Sequence, residues 1–558
     1  MSHVRIKNSS YSGFLLKLFS LYIILVLTLI LFAAPFVTYP RKTPLAYLAP
    51  IHFLMALGSG YSLFDVLQIH DFHTADGSCK EGRHPFSITI MLCGLLLVAL
   101  QAFIVRGGWF VTNWDLYTLA DFGHSADHFV YYSNYPNQLF LAGLFERIVS
   151  LGSLIGFKNG YLCVVCIGCL ATSMSAMLLA HAARAAFNDT VGYCVFAVFS
   201  VLTALSPWIL VPYSDTYGLF FTSMVLWSFC CIKNQHIKWF SMTLFSIVGY
   251  LIKPTVVFVY LAIIITSLKD WLPGIVDSLR NPGAGTRQFR ASIYNALSRL
   301  TSLSLVIAVA IVFSLILKSF IALPSNSFDE EGAFSWTHYL MLGFNQEYLG
   351  VWNQDDLDYS RSFPTMASRQ AGNIEEWKRR VRDAGFPGVA KLVILKTLSN
   401  MADGSFSWEQ EGGFYSTTGG DSEAIKSIYG IDEAVNDTLI LSRDAPFSSV
   451  AQILWFIVLI GIASLFFTSH VSQDEPKILS VIVLTLFMLC GFLTIFECRA
   501  RYLYLYSGYF VFLSIVGWRR LILILHNATK HPLWDSRFNV DRQSETRTDS
   551  IPTEAHRT

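Results

Sequence analysis

The sequence predicts an all-α polytopic membrane protein with about 12 transmembrane helices. Hydrophobic residues make up 53% of the 558 residues and charged residues only 14%, whereas soluble domains carry about 25% charged residues. Apolar segments of membrane-spanning length recur along the whole chain. The 40 basic and 39 acidic residues leave a net charge of +1, so no basic excess indicates nucleic acid as a partner. These observations exclude a disordered chain, a coiled coil and an ordinary cytosolic enzyme.

The predicted spans are apolar segments close to the length that a bilayer requires, which is about 20 residues. They lie at 14–37, 46–68, 86–106, 160–186, 191–212, 216–233, 301–320, 449–470, 478–496 and 502–524. A longer apolar stretch, 238–268, is interrupted by Lys253-Pro254. Because Pro ends or kinks a helix, we interpret this stretch as two spans with a hinge at that dipeptide.

Basic residues indicate how the spans are oriented, since Lys and Arg favour the cytoplasmic side of a membrane. They concentrate near the N-terminus, in the loop 269–300 and in the C-terminal region from Arg519 onwards. Alternating about 12 spans places all three regions on one side. This predicts a multi-pass protein of the cell membrane with both termini in the cytoplasm. The pair Arg41-Lys42 is an exception, because the same count exports it.

This topology exports two long loops and divides the chain into five parts. They are two additional spans in 1–85, a transmembrane core in 86–320 with the first exported loop at 107–159, an exported loop domain in 321–448, C-terminal spans in 449–524, and a disordered cytoplasmic tail in 525–558. The exported loop domain holds 19 of the 39 acids and 10 bases, a net charge of −9. We also expect amphipathic helices in the exported segments.

The first candidate functional group follows the third span. Asp115 stands just past the predicted membrane boundary, where a carboxylate suits a general base for a substrate hydroxyl. A helix N-cap is the alternative role for this residue. Asp121, His124 and His128 would share one helix face, a spacing compatible with a metal site. An ordinary surface face is the simpler interpretation of that spacing.

An aromatic and polar run, Tyr131 to Asn137, precedes an amphipathic helix in the segment 129–151. Tyr135 and the amides of Asn134, Asn137 and Gln138 have the groups that contact a sugar. The alternative is a short packed helix, in which these residues serve only the fold.

The remaining candidates near the membrane boundary are charged. Asp215 begins an apolar helix at an exported turn, where it serves either catalysis or as an N-cap. Lys253, Arg499 and Arg501 stand at exported ends of spans, on the side that cations avoid. Binding of a phosphate explains these cations, because guanidinium groups match its geometry. Snorkelling toward lipid headgroups is the alternative.

Five residues of the exported loop domain are candidate sugar contacts: Trp336, His338, Asn345, Trp408 and Glu411. Aromatic faces stack on sugar rings, and amide and imidazole groups hydrogen-bond to hydroxyls. The alternative is that these side chains pack within the loop domain itself.

Several of these motifs resemble those of the GT-C type of membrane glycosyltransferase, which includes protein O-mannosyltransferases and bacterial aminoarabinose and arabinosyl transferases. Asp115 is similar to the Asp that these enzymes carry in their first exported loop. The hinge around Lys253 resembles a segment whose Lys approaches the lipid phosphate, and the turn at Asp215 is similar to a Tyr-Ser-Glu-Ser turn of the GPI mannosyltransferases. The segment with Arg499 and Arg501 resembles their late Arg-Tyr motif.

This resemblance implies a GT-C-like fold and inverting transfer of a sugar from a polyprenyl-phosphate donor. Asp115 would be the general base, Asp215 would position the acceptor or the base, and Lys253, Arg499 and Arg501 would stabilise the departing phosphate. The acceptor would be a saccharide, a lipid or a protein, and membrane lipid would surround the site. No cofactor is expected, and a divalent metal is the less favoured alternative.

A closer resemblance, over roughly 87–520, is to a bacterial group of uncharacterised integral membrane proteins. The residues that carry it are Trp336 to Asn345, Asn353 to Asp356 and Asp403 to Trp408. Two other functions compete with the transferase: a flippase or transporter of lipid-linked saccharides, and a non-catalytic assembly protein of the envelope. A transporter would carry ionisable residues at mid-membrane and repeated halves, whereas here the charges gather at span ends.

Overall fold

The computed structural model describes residues 6–39, 42–74, 85–112, 115–120, 127–280, 286–323, 328–411, 415–431, 445–468 and 476–530, and these residues are mostly helical. The first half contains α1 (Ile6–Phe32), α2 (Ala49–Thr74), α3 (Pro85–Gly108), α4 (Asp115–Ala120), α5 (Asp127–Asn134), α6 (Leu139–Leu154), α7 (Gly160–Ala186), α8 (Asp189–Phe199), α9 (Ser214–Cys231), α10 (Gln235–Ile252), α11 (Val257–Arg280) and α12 (Thr286–Ile321). A short strand, β1 (Phe110–Thr112), follows α3.

The second half begins with helices of the large loop and ends with three long apolar helices. These elements are α13 (Trp336–Gly343), α14 (Gln354–Arg361), α15 (Met366–Met401), α16 (Trp408–Glu411), β2 (Tyr415–Thr418), α17 (Glu423–Tyr429), α18 (Pro446–Thr468), α19 (Lys477–Ile495), α20 (Arg501–Tyr504) and α21 (Ser507–Lys530).

Within the described residues, seven helices are long and apolar enough to cross a membrane. They are Tyr11–Phe32, Phe86–Gly108, Gly160–Ala186, Ser304–Ile321, Pro446–Thr468, Lys477–Ile495 and Ser507–His526. The predicted span 46–68 is a helix, α2, but it falls outside this set because glycines, serines and an aspartate interrupt its apolar sequence. A total of about 12 spans therefore remains a prediction.

Two sequence predictions about local structure were wrong. The basic segment 269–300 is not a loop: α11 continues to Arg280 and α12 begins at Thr286. Lys and Arg are good helix formers, so the apolar helices extend as charged helices. The predicted span 191–212 is not one helix, because α8 ends at Phe199 and a π-helical turn, Ser200–Ala204, follows it.

The apolar core is formed by helices distant in sequence. α18 packs against α21, α1 and α2, while α7 packs against α9, α8 and α3. At the crossing of α18 and α21, a Cβ on Gly517 would collide with the backbone carbonyl of Gly461. Small residues of this kind let two membrane helices approach closely.

Lys42 has a structural role that explains its position in the sequence. Its ammonium donates to the carbonyls of Pro35 (2.9 Å) and Val37 (3.0 Å) beyond the end of α1. It also lies over the ring of Tyr47, 4.5 Å from the centroid. A cation with these contacts stabilises the chain between α1 and α2, and this role is independent of the positive-inside rule.

The large loop has an ionic core of its own between α13, α14 and α15. Arg380 donates both terminal nitrogens to the Asp356 carboxylate, at 2.5 and 3.1 Å. Asn345 and Asn353 each donate to Asp356 at 3.0 Å. Burial alone would raise the pKa of Asp356, but the bonds from Arg380 and the two amides outweigh it and lower that pKa.

Because its folded-state pKa is lowered, Asp356 adds stability that is present above its unfolded pKa of about 3.9. This stability is lost as the pH falls through that value toward the lower folded pKa. We expect the thermal midpoint of the purified protein to fall in this pH range, and to fall less in Asp356→Asn. Thermal unfolding in detergent at a series of pH values measures this, with the exposed neighbour Asp355→Asn as control. Equal pH dependence in wild type and Asp356→Asn would contradict the prediction.

Candidate functional site

The site is built around Asp115, the first residue of α4. It is brought next to the large loop because β1 pairs antiparallel with β2, with Phe110 opposite Thr418 and Thr112 opposite Tyr415. Asp115 is half-buried, and its Oδ2 accepts a hydrogen bond from the Tyr213 hydroxyl at 2.8 Å. Among the described residues, Asp115 forms no ion pair.

Tyr213 is held in place by an irregular segment between α8 and α9. The π-helical turn Ser200–Ala204 leaves carbonyls without their usual helical partners, and such groups need other donors when they are buried. Gln101 donates to the Ala204 carbonyl at 2.8 Å, and Tyr429 donates to the Leu205 carbonyl at 2.7 Å. These bonds hold the start of the irregular segment 200–213, which leads to Tyr213 and Asp215 at the beginning of α9.

Asp215 joins two of the predicted cations in one buried group. Its Oδ1 lies 2.5 Å from Lys253 Nζ, and its Oδ2 lies 3.1 Å from Arg501 Nε. The exposed fractions of the three residues are 2%, 7% and 2% for Asp215, Lys253 and Arg501, respectively. Lys253 reaches this position because Pro254 ends α10, so that the chain is extended at Lys253 before it re-enters a helix.

Aromatic rings connect this ionic group to Asp115. Arg501 lies over the Tyr213 ring, 4.9 Å from the centroid, and Lys253 lies over the Tyr502 ring at 3.9 Å. The same Tyr213 therefore touches Arg501 through its ring and Asp115 through its hydroxyl. Cation–π contacts of this kind are favourable when they are shielded from water.

Arg499 belongs to a neighbouring group. Its Nε lies 2.8 Å from Glu497 Oε1, and Glu497 Oε2 accepts a hydrogen bond from the Tyr502 hydroxyl at 3.1 Å. The structure thus brings Asp115, Asp215, Lys253, Arg499 and Arg501 to one region of the molecule, as the sequence predicted. Asp215 pairs with Lys253 and Arg501, and Glu497 pairs with Arg499, so each of the three cations has a carboxylate partner.

The charges of Asp115 and Glu497 both act on the tyrosines of the adjoining loops. Burial raises the pKa of Tyr135, and the carboxylates of Asp115 and Glu497 raise it further. The pKa of Tyr339 is likewise raised by burial, and by charges that include the same two carboxylates. Tyr135 and Tyr339 therefore stay protonated at neutral pH, and their hydroxyls are neutral.

Lys396 of α15 ties the large loop to the Glu497–Arg501 segment. It is 1% exposed, and its ammonium donates to the carbonyls of Gly343 (2.9 Å), Thr494 (2.9 Å) and Phe496 (2.5 Å). Gly343 is needed here because a Cβ would collide with the carbonyls of Ile495 and Phe496. Burial lowers the pKa of Lys396 to about 8, so the amine is still mostly charged at neutral pH.

We expect Lys396→Met to destabilise the protein by about 3 kcal/mol, because it leaves buried carbonyls without a donor and each such group costs about 1–3 kcal/mol. Chemical or thermal unfolding in detergent measures the loss. The matched control is Lys391→Met, on the same helix but exposed, which should change stability little. Equal losses of stability in the two variants would contradict the proposed role of Lys396 in joining the large loop to the residues before Glu497.

The structure gives the predicted sugar-contacting residues different environments. His338 is buried, stacks on Phe334 with centroids 4.3 Å apart, and hydrogen-bonds Ser360 through Nδ1 at 2.7 Å. Its pKa is lowered to about 4 by burial. Asn345 is bound within the ionic core of the large loop through Asp356. These contacts favour structural roles for His338 and Asn345.

Trp408 departs from the expected arrangement, whereas Trp336 and Asn137 have exposed side chains, as a ligand contact requires. Trp408 is fully buried against Trp208, and its indole donates to the Tyr429 carbonyl at 2.8 Å. It therefore packs the protein interior, as the alternative interpretation held. Trp336 is 60% exposed and Asn137 is exposed, whereas Tyr135 lies beside the site through its contact with Tyr131 at 5.1 Å.

The predicted metal alternative rests partly on residues outside the described part of the chain, since Asp121 and His124 lie there. Within the described residues, no three His, Cys, Asp or Glu side chains form a group that could hold a metal ion. His128 is buried beside Tyr132, with ring centroids 6.3 Å apart.

The comparisons with known proteins concern the membrane assignment and the family. A family described as "Conserved hypothetical integral membrane protein" matches residues 82–521. The chain belongs to this family. It is therefore an integral membrane protein, and its several long apolar helices make it a multi-pass one. No curated protein and no solved structure matches the chain.

Two residues of the site were not among the predicted site residues. Tyr213 bridges Asp115 and Arg501, and Glu497 binds Arg499. Gln138, which the sequence offered as a sugar contact, donates from Nε2 to the Tyr213 hydroxyl at 2.7 Å. Tyr213 and Glu497 each stand two residues from a predicted charged residue. That proximity is a usable signal, because a buried charge needs neighbours that hydrogen-bond or neutralise it.

Proposed function

We propose that the protein is a membrane glycosyltransferase that moves a sugar from a polyprenyl-phosphate donor to an acceptor on the exported face of the membrane. The observation that carries the proposal is the bridge made by Tyr213, between a carboxylate without an ion pair among the described residues and a buried cation pair. Transfer from a lipid phosphate needs these two elements close together. The proposal includes a GT-C-like arrangement of about 12 spans with cytoplasmic termini.

Asp115 is the best candidate for the general base. Asp215 pairs with two cations, whereas Asp115 is half-buried and accepts only a neutral hydroxyl among the described residues. A base must reach the acceptor hydroxyl and remain ionised to take its proton. Asp215 instead positions Lys253 and Arg501. The sequence suggested that Asp215 positions the acceptor or the base, and the proposal replaces that role with positioning of the two cations.

In the proposed reaction, Asp115 takes the proton of the acceptor hydroxyl as the acceptor oxygen bonds to the anomeric carbon. The bond between that carbon and the phosphate oxygen breaks, and its electron pair leaves with the lipid phosphate. Lys253 and Arg501 stabilise the developing negative charge, an electrostatic role that often dominates catalysis. Attack from the face opposite the phosphate inverts the anomeric configuration. A phosphate leaving group needs no separate acid, unlike the leaving groups of glycosidases with their two carboxylates.

The cations are close enough to Asp215 to form ion pairs before any donor binds. A donor phosphate would therefore share Lys253 and Arg501 with Asp215. The aromatic rings of Tyr213 and Tyr502 keep both cations in place during this exchange, because each ring contacts one cation. The proposal includes lateral entry of the polyprenyl chain from the membrane side.

The test is incubation of the purified full-length protein with a panel of polyprenyl-phosphate sugars and saccharide, lipid and peptide acceptors. Release of polyprenyl phosphate together with a glycosylated product supports the proposal. The variant Lys253→Met separates specific turnover from spontaneous hydrolysis, since it should lose the product. A thermal unfolding transition shows that the purified protein is folded. Absence of turnover with every donor in such a preparation would contradict the proposal.

A further inference from the structure

The segment 127–138 carries buried polar atoms without a hydrogen-bond partner among the described residues. Asn134 and Gln138 are more than nine-tenths buried, yet Asn134 Nδ2 and Gln138 Oε1 have no hydrogen-bond partner among the described residues. The Tyr131 hydroxyl, also buried, lacks one there as well. Tyr131 and Asn134 are three residues apart on α5, so their side chains share one face of that helix. Gln138 follows after the helix breaks at Tyr135, and it meets this face at Tyr213, because its amide donates to the Tyr213 hydroxyl and Tyr213 also acts on Tyr131. We call Tyr131, Asn134 and Gln138 the amide face.

The amide face lies next to the proposed base. Gln138 Nε2 donates to the Tyr213 hydroxyl at 2.7 Å, and that hydroxyl donates to Asp115 at 2.8 Å. The remaining atom of the Gln138 amide, Oε1, is therefore two hydrogen bonds away from Asp115. The Asp115 charge also acts on Tyr131, whose ring lies 5.1 Å from that of Tyr135. The backbone of Asn134 is held in place, because its backbone carbonyl accepts a hydrogen bond from the Phe334 backbone amide at 2.9 Å.

The groups of this face differ in hydrogen-bonding character. Asn134 Nδ2 donates, Gln138 Oε1 accepts, and the Tyr131 hydroxyl does either. Neighbouring hydroxyls of a sugar match such a mixed set, because each hydroxyl both donates and accepts. A carboxylate only accepts, and it would be repelled by Asp115 and by Glu497, whose charges both reach Tyr135. The face therefore suits a neutral sugar and disfavours an acidic one.

We infer that the amide face binds the ring hydroxyls of a neutral hexose or pentose, the sugar that is transferred, and selects against uronic acids. This inference rests on the proposed function, since it places the sugar of the lipid donor beside Asp115. The Tyr131 and Tyr135 rings add the aromatic surface that a sugar ring contacts.

The experiment measures binding rather than transfer, using the full-length protein in detergent. The probes are polyprenyl phosphate carrying mannose, polyprenyl phosphate carrying glucuronate, and bare polyprenyl phosphate. Wild type should bind the mannose lipid about tenfold more tightly than the bare lipid, as one or two added hydrogen bonds predict. It should bind the glucuronate lipid no more tightly than the bare lipid.

Asn134→Leu is the decisive variant, because it removes a buried amide whose donor has no partner among the described residues. A purely structural role predicts equal or higher thermal stability and unchanged binding. The amide face instead predicts loss of the tenfold preference, with binding of bare lipid retained. Tyr131→Phe, which removes only a hydroxyl, should reduce the preference even if Asn134→Leu does not fold.

The matched control is Thr468→Val, which removes a buried hydroxyl at the end of α18 that likewise lacks a partner among the described residues. It should leave the mannose preference unchanged. A preference that survives in both Asn134→Leu and Tyr131→Phe, or its absence in wild type, overturns the inference. Product formation in the transfer assay would still support the proposed function in that case, so the two failures are distinguishable.

Discussion

Asp115→Asn is expected to lower the turnover number for sugar transfer by about 10²–10⁴-fold, the usual contribution of a general base. Asparagine keeps the size of the side chain and an oxygen that accepts from the Tyr213 hydroxyl, so the thermal midpoint should change little. The measurement is product formation at saturating donor and acceptor, beside thermal unfolding of the same preparation.

The control for this prediction is Asp355→Asn, which removes an exposed acid of the large loop that accepts a hydrogen bond from the Tyr348 hydroxyl. It should keep wild-type turnover. Full activity in Asp115→Asn would remove the proposed base, and equal losses in both variants would indicate a general effect of charge.

Asp215→Asn is expected to have the largest effect on stability, about 3–5 kcal/mol, because it leaves Lys253 and Arg501 buried without their shared anion. Unfolding in detergent at neutral pH measures this loss. Transfer should also be lost, since the two cations would no longer hold their positions.

A triple variant separates stability from function at this group. Replacing Asp215 by Leu together with Lys253→Met and Arg501→Met removes all three charges, and such replacements of buried ionic groups are often neutral or stabilising. We expect the thermal midpoint to recover toward wild type while transfer stays absent. If the triple variant transfers sugar, the cations have no part in the reaction. If Asp215→Asn is as stable as wild type, the group is not the buried triad described here.

The sequence predicted the grouping of charges well, for a physical reason. Alternation of apolar helices sends every second connection to the same side, so Asp115, Asp215, Lys253 and Arg501 were expected at one level of the molecule. Their pairing was harder to predict. Lys253 and Arg501 were expected to bind the phosphate of a donor. In the structure both contact Asp215, because desolvated cations need a counter-ion within the protein.

The large loop was predicted less well, because its packing depends on contacts between residues far apart in sequence. Trp408 and His338 have the side chains of sugar-binding residues, but Trp208 and Ser360 enclose them. The sequence of this polar loop has no hydrophobic periodicity from which the burial of these two side chains could be predicted. Lys396 illustrates the same limit, since its three carbonyl partners lie 53 to 100 residues away.

The pairing of Asp215 with both cations has a consequence for selectivity. An internal carboxylate is a competitor that is always present at high effective concentration. A dissolved inorganic anion would gain only the difference between its own binding and that of Asp215, and it would also lose its hydration. A lipid-anchored phosphate adds the burial of its hydrocarbon chain to the same exchange. Under the proposed function, the carboxylate thus acts as a filter, which lets membrane-borne donors reach Lys253 and Arg501 and keeps soluble phosphate away.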